Sequence, residues 1–437
     1  MTVPAYQSYR DSGVDWIGWV PSGWAVEPLK ASYAIVGGAT PKSEVADYWD
    51  GGVPWVTPGD LSKLTTPFIG ETIRTISEEG LAACAASRVP SGSVILSTRA
   101  PIGSLGITTE PTTTNQGCKA LVPRRGANSS FLAYTLSAAT TALNVRGKGT
   151  TFLELSGDEL GRFNVPAPSI VDQATIAAFL DRETAKIDAL VEAQRRLIEL
   201  LKEKRQAVIS HAVTKGLDPS APMKASGIEW LGEVPAHWDV KRTRRLFTER
   251  DQRSTTGEEE LLTVSHLTGV TPRSEKQVNM IEAETTEGYK LCGVGDLVIN
   301  TLWGWMGAMG ASPIAGLVSP AYNVYSPVTG LLPSFVDFLV RTPAFITEVT
   351  RYSKGVWSSR LRLYPDAFFQ LSFPLPPLKE QVGIVSRLAE LSTSFGHLER
   401  ELECGLQLLL ERRAALISAA VTGKIDVREG ASEMVAA

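Results

Sequence analysis

Cysteine is scarce and scattered: the 437-residue chain holds four, Cys84, Cys118, Cys292 and Cys404, and no CxxC pair. That argues against a zinc ribbon and gives no support to a disulfide framework, so a reducing, cytoplasmic setting is expected. Histidine is equally thin. His211, His237, His266 and His397 stand far apart, without the spacing of a metal site. No GxxxxGK[ST] phosphate loop occurs, nor any NPPY or DPPY stretch suited to an amino-methyltransferase. With no catalytic constellation visible, the chain is expected to be non-catalytic and to bind no cofactor or metal of its own.

Unbroken apolar runs are missing too. The longest uncharged stretch, 297–336, exceeds a bilayer span but carries Pro313, Pro320, Pro327 and Pro333, whose helix breaks would leave backbone groups unsatisfied in lipid. The opening MTVPAYQSYRDSG has no basic flank followed by an apolar core, so no secretory signal is expected. An excess of positive charge is also absent: 43 Lys and Arg face 47 Asp and Glu, a net charge of −4. A nucleic-acid role then depends on where the cations sit, and on partners that share phosphate neutralisation.

What the sequence does contain is a repeat. The segment from Ser12 to Trp24 matches Ser226 to Trp238 at a constant offset of 214, keeping two tryptophans, two glycines and a proline in a WxGxVPxxW pattern. A longer match at an offset of 208 maps Pro166, Pro168, Gln173, Leu180, Arg205, Ile209, Val213, Thr214 and Asp218 onto Pro374, Pro376, Gln381, Leu388, Arg413, Ile417, Val421, Thr422 and Asp426. Each copy opens on the tryptophan motif, runs through a diverged region of about 140 residues, and closes on a proline hinge and a helical segment.

Both helical segments show heptads. Leu180, Ile187, Gln194, Leu201 and Val208 recur every seven residues, with Ile176, Glu183, Leu190 and Leu197 between them. Leu388, Phe395, Leu402, Leu409 and Leu416 do the same in the second copy, interleaved with Ile384, Leu391 and Leu398. Forty such residues span roughly 60 Å. The hinge prolines set the helix starts, and Gly216 and Gly423 mark the ends. Each stripe alone is compatible with a face packed on its own domain; matching register favours mutual antiparallel packing. The expected architecture is α+β: two strand-rich mixed α/β domains joined by two long antiparallel helices in a coiled coil, related by a pseudo-two-fold. The expected boundaries are 1–165, 166–222, 223–373 and 374–437.

The diverged regions carry short β-type runs broken by Gly, Pro and Asn turns. The first holds GGATPKSEVADYWDGGVPWVTPGDL, STRAPIG and TNQG; the second holds GDLVIN and SPAY, and ends at the hinge PLPPLKEQ. Together, in this order, these elements resemble the specificity subunits of Type I restriction-modification systems. The likeness covers nearly the whole chain. The first hinge departs from it, reading PAPSIVDQ, but keeps Gln173. The resemblance implies two target recognition domains on a bipartite, asymmetric site in double-stranded DNA, and a helical spacer that docks two modification (methyltransferase) subunits. Those partners would carry S-adenosylmethionine for adenine methylation. Two restriction (translocase/nuclease) subunits using ATP and magnesium would complete a cleaving complex.

Candidate DNA contacts are the cations in glycine-rich and small-polar loops: Lys42, Arg99, Lys119, Arg146 and Lys148 in the first domain, and Arg273, Lys276, Lys354, Arg360 and Arg362 in the second. A solvated surface charge is the bland reading of each. For Arg99 a structural pair with a carboxylate such as Asp60 is a further alternative. Leu180, Ile187, Leu190, Leu201, Leu388, Phe395, Leu402 and Leu409 are the candidate spacer and partner-docking positions. Trp16, Trp24, Trp230 and Trp238 read as clasps between each domain and its helix. The same features leave open a tandem protein-interaction scaffold that never reads DNA.

Overall fold

A computed structural model describes residues 4–99, 101–147, 153–276, 285–328, 330–355 and 361–428. Two long helices, Ile170–Lys215 and Leu378–Val421, begin one or two residues after the hinge prolines. Ser169 caps the first, accepting from the Asp172 amide at 3.1 Å while its hydroxyl donates to the Asp172 carboxylate at 2.8 Å. The second has Pro376 and Pro377 at its start, and its first-turn Glu380 is used elsewhere, as described below. Among the described residues no helix is long and apolar enough to cross a membrane.

The chain divides into two compact units, Met1–Gln194 with Gly405–Ala437, and Arg195–Cys404, so each long helix contributes one part to each unit. In the first unit Ile176, Ala177 and Leu180 are buried with Ile417, Ala420 and Val421, and Arg413 forks onto Asp188 at 2.7 and 3.1 Å. In the second, Ala212 and Val213 share a core with Ile384 and Leu388, and Lys202 lies 3.9 Å from Glu399. In both, later residues of one helix meet earlier residues of the other, so the pairing is antiparallel.

The seam differs from the expected one in one of its two heptad series. Gln173, Leu180, Ile187, Gln194, Leu201 and Val208 are shielded, as are Gln381, Leu388, Phe395, Leu402, Leu409 and Leu416. In the second series Ile176 and Ile384 are fully buried, but further along the first helix the shielded positions are shifted by one residue: Val191 and Ile198 are 4% and 6% exposed, whereas Leu190 and Leu197 are 56% and 48% exposed. The shielded positions run Ala177, Thr184, Val191, Ile198, Arg205 and Ala212, completing an alternation of three and four residues counted from Gln173. Leu190 therefore faces outward, as does its repeat counterpart Leu398 at 42%.

The first unit's main sheet orders Tyr33–Gly37, Cys118–Pro123, Val94–Ser97, Leu105–Thr108 and Phe68–Ile69, with only the last pair parallel. Its strand Val94–Ser97 is buried on both faces. A smaller sheet places Trp49–Val56 between Thr113–Thr114 and Thr75–Ile76. The second unit has an antiparallel four-stranded sheet, Phe247–Arg250, Tyr322–Pro327, Leu297–Asn300 and Met309–Ala311. Rings of Tyr325, Phe345, Phe368 and Phe373 fill its core.

The repeated motifs tie each head to the helices in the same way. Gln381, fully buried, accepts from the Leu332 amide at 2.8 Å and donates to the carbonyls of Gly330 and Pro376 at 3.0 and 2.9 Å. Gln173 accepts from the Asn128 amide and donates to the Pro168 carbonyl, both at 3.0 Å. Each glutamine thus links the hinge to the N-terminus of a head helix. Trp24 and Trp238 are buried against the helix pair, and Trp238 donates to Glu380 at 3.0 Å beside His237. Trp16 and Trp230 pack instead on their own heads, against Phe163 and Phe345. Just past each helix end, Gly216 and Gly423 take φ of +82° and +71°. A Cβ on Gly423 would lie 2.4 Å from Pro21 and 3.1 Å from Trp24; on Gly216 it would lie 3.3 Å from Trp238. In the second unit one continuous segment runs from Gly216 into Met223–Ala225, which pairs with Glu233–Pro235. In the first, Tyr9–Asp11 pairs with Trp19–Pro21, the Tyr9 hydroxyl donates to the Gly423 carbonyl at 3.0 Å, and the Asp426 amide donates to Pro4 at 2.7 Å.

Candidate nucleic-acid interface

In the first unit three of the candidate cations gather around the TNQG turn. Asn115 closes the turn by accepting from the Gly117 amide at 2.9 Å, and the Ala39 amide donates to the Thr114 carbonyl at 3.0 Å. Gly38 permits this approach, because a Cβ there would sit 2.2 Å from the Thr114 and Asn115 carbonyls. The Thr40 hydroxyl bonds the side-chain oxygen of the exposed Gln116. Two indoles pin the neighbouring loop: Trp55 donates to the Ala39 carbonyl at 3.0 Å and Trp49 to the Lys42 carbonyl at 3.3 Å. Lys42 itself is exposed. Lys119 follows the turn on its strand, partly exposed between buried Cys118 and Ala120. The Gly117 carbonyl accepts from Thr98 at 2.8 Å, placing Arg99 next to the same turn.

Arg99 does pair with a carboxylate, but with Glu154 at 3.2 Å, both side chains being over 40% exposed. Asp60 is not its partner. Asp60 is committed to backbone, accepting from Thr57 at 2.8 Å and Ile73 at 2.7 Å and completing a helix-capping box. A half-exposed pair of this kind holds a guanidinium loosely enough for a phosphate or a guanine edge to compete. Arg146 is placed differently, its guanidinium 5.0 Å from the Phe163 ring. Lys148 lies outside the described residues.

In the second unit Arg273 opens a short turn after the strand Gly269–Pro272, and the Lys276 ammonium donates to Thr268. Lys354 and Arg362, both exposed, are joined by two backbone hydrogen bonds of 2.9 Å, which sets two cations side by side. Arg360 lies outside the described residues. Arg273 also lines a cavity of about 580 Å³ with His266, Asn300, Trp303 and Tyr322.

Three residues escaped the sequence reading. Gln116 and Thr40 are separated by 76 positions and meet only because Gly38 lets two loops touch; the amide in TNQG was the available signal, since Gln can pair bidentately with adenine. Arg74 stacks 3.8 Å over Trp49, and nothing in its local sequence marks it. Among the described residues no group of three or more His, Cys, Asp or Glu side chains could hold a metal. Burial pushes the Cys118 thiol up to about 12 and the Cys292 thiol up to about 11, so both stay protonated and act as packing groups.

Comparison with known proteins agrees with this arrangement. The family model of the Type I restriction modification DNA specificity domain matches residues 21–200. The chain is 32% identical over 232 residues to the Type I restriction enzyme MjaIX specificity subunit of Methanocaldococcus jannaschii, a match spanning about half (52%) of each protein. It is 21% identical over 439 residues to the StySPI specificity subunit of Salmonella potsdam, covering 94% of this chain and 91% of that one. Among solved structures it resembles a chain from a Type I R-M system studied for complex assembly and conformational transition, with a TM-score of 0.68, 16% identity, and coverage of 93% and 99%. The HsdS subunit of Thermoanaerobacter tengcongensis follows at a TM-score of 0.53, 15% identity, and coverage of 93% and 98%. With its doubled hinge, paired helices and two strand-rich heads, the chain is similar in sequence and in fold to specificity subunits of Type I restriction-modification systems, and it carries their DNA specificity domain over residues 21–200.

Proposed function

We propose that this chain selects the DNA site for a Type I restriction-modification complex, reading a bipartite, asymmetric sequence in duplex DNA through its two heads. The observation that carries this reading is the pairing of a repeated attachment with diverged surfaces. The Gln and Gly–Pro–Trp contacts are built alike in both units, while the loops bearing Lys42, Arg99, Gln116 and Lys119 have a different sequence from those bearing Arg273, Lys276, Lys354 and Arg362. Identical mounts with unlike heads suit two different half-sites, and the antiparallel helices suit a fixed spacing between them.

The duplicated helices would dock two modification subunits, with the outward-facing Leu190 and Leu398 as repeated apolar contact points. Those subunits would bring S-adenosylmethionine and methylate adenine; restriction subunits, with ATP and magnesium, would add cleavage. This chain would supply no catalytic group. Methylome sequencing of a host with and without the chain tests the proposal: a split methylated motif should vanish with the chain. An unchanged methylome, together with partners that co-purify but leave no DNA footprint, would instead establish a protein scaffold. In the reconstituted complex, affinity should also fall steeply as salt rises, because phosphate contacts release counterions.

A further inference from the structure

The two heads differ in sequence but share one sheet, whose register matches them residue by residue. In the first unit Cys118–Pro123 lies between Tyr33–Gly37 and Val94–Ser97, with Ser97 opposite Cys118. In the second, Tyr322–Pro327 lies between Phe247–Arg250 and Leu297–Asn300, with Asn300 opposite Tyr322. The loops that leave Ser97 and Asn300 are therefore equivalent. One is closed by the Ser97 amide donating to the Ser104 carbonyl at 2.7 Å, the other by the Asn300 amide donating to the Ala308 carbonyl at 3.0 Å. Each takes the same second strut, from the Leu155 amide to the Thr98 carbonyl at 2.8 Å and from the Leu363 amide to the Thr301 carbonyl at 3.4 Å. At this corner the first head carries a charged pair, Arg99 with Glu154. The second carries Leu302 where the first has Arg99, and its loop, one residue longer, adds Trp303; the two are 40% and 51% exposed. Arg362 stands where the first head has Glu154, exposed and bonded through its backbone to the exposed Lys354. The loop is rigid. The Trp303 amide donates to the Asn300 carbonyl at 3.0 Å, and its carbonyl accepts from Met306 and Ala308 at 3.0 and 3.1 Å. The Trp305 indole donates to the Leu302 carbonyl at 3.0 Å, and the Thr350 hydroxyl to the Trp305 carbonyl at 3.1 Å.

We infer that Trp303 is a specificity-determining side chain of the second head, packing on the C5-methyl group of a thymine in the major groove, with Lys354 and Arg362 on the phosphates beside it. This rests on the DNA-reading function proposed above. The thymine methyl is the apolar group that base edges present in that groove, and apolar side chains read it by contact. A residue half covered by its own head cannot slide between stacked bases, so contact with the groove floor suits it better than a wedge. A ring held by a fixed backbone also loses little freedom when it docks. Exposed cations at the same corner favour a polyanion over an apolar protein surface. The heads thus differ in chemistry at one equivalent place: the first offers charges suited to guanine and cytosine edges, the second offers carbon.

The full chain is reconstituted with its modification subunits, and duplexes of the split motif returned by methylome sequencing are made with each thymine in turn replaced by deoxyuridine, which lacks only the methyl group. Affinities are measured for the unchanged protein, for Trp303→Ala, and for Arg99→Ala at the equivalent corner of the other head. One deoxyuridine should weaken the unchanged protein about fourfold, the worth of one buried carbon. At that position Trp303→Ala should bind thymine and uracil equally, while Arg99→Ala should still tell them apart. Discrimination that survives in Trp303→Ala overturns the inference, whether or not overall affinity falls. So does its loss in Arg99→Ala as well, or a motif in which no deoxyuridine changes affinity. In each of these cases the complex still prefers its site, and DNA reading stands. A complex that prefers no sequence overturns the inference and that reading together.

Discussion

Replacing Gln381 by leucine should be among the most damaging single changes outside the apolar core. The side chain is fully buried and makes three hydrogen bonds, to the Leu332 amide and the Gly330 and Pro376 carbonyls. Leucine fills nearly the same volume but leaves those three backbone groups without partners. At about 1–3 kcal/mol for each unsatisfied group, and allowing partial relaxation, the loss is about 3–6 kcal/mol. For a unit of this size, 1 kcal/mol moves Tm by about 2–4 °C, so calorimetry should show a drop of roughly 6 °C or more. Gln173→Leu removes two bonds and should cost about two-thirds as much by the same accounting. Val382→Ala, at a half-exposed neighbouring position, serves as the control. Two results would refute the reasoning: a Gln381→Leu drop no larger than the control, or a larger drop for Gln173→Leu.

Four further outcomes are expected. Ile198→Asp buries a charge in the seam and should cost about 3 kcal/mol or more, whereas Leu197→Asp, one residue away and half exposed, should stay within about 0.5 kcal/mol by urea unfolding. Gly423→Ala should destabilise more than Gly216→Ala, because the added carbon meets the Pro21 ring at 2.4 Å in one case and the end of the Glu380 side chain at 3.1 Å in the other, at similar positive φ; thermal melts rank them. Arg99→Ala should weaken site binding about tenfold, the lower part of the range for a bidentate base contact, while Glu154→Gln, which releases Arg99, should not weaken it in a filter-binding assay. Asp426 is held below the ordinary carboxylate range, chiefly by its hydrogen bond from Arg428. Its stabilising contribution is therefore complete above an unfolded value of about 3.9 and lost as pH falls through the lower folded value. The acid limb of unfolding should be shallower in Asp426→Asn.

The helices and the duplication were legible because both are patterns along the chain. The seam's second series was not, because its shielded positions include Thr184, Arg205, Ser392 and Arg413, while leucines occupy the outward positions 190, 197 and 398. Reading apolar residues as inward therefore chose the wrong neighbour. Cations could be picked from composition, but their surroundings could not. Asp60 looked available to Arg99 until two backbone amides claimed it, and Gln116 meets Thr40 only where separate loops converge.

One joint in this molecule is closed by an uninterrupted run of backbone from Gly216 to Trp238; its twin is closed by non-covalent contact alone, between residues 4–24 and 423–428. Peptide continuity is therefore dispensable to the mount. A head could therefore be exchanged for another between the two repeated flanks while the fastening is left untouched, so the diverged regions can vary independently of the mount.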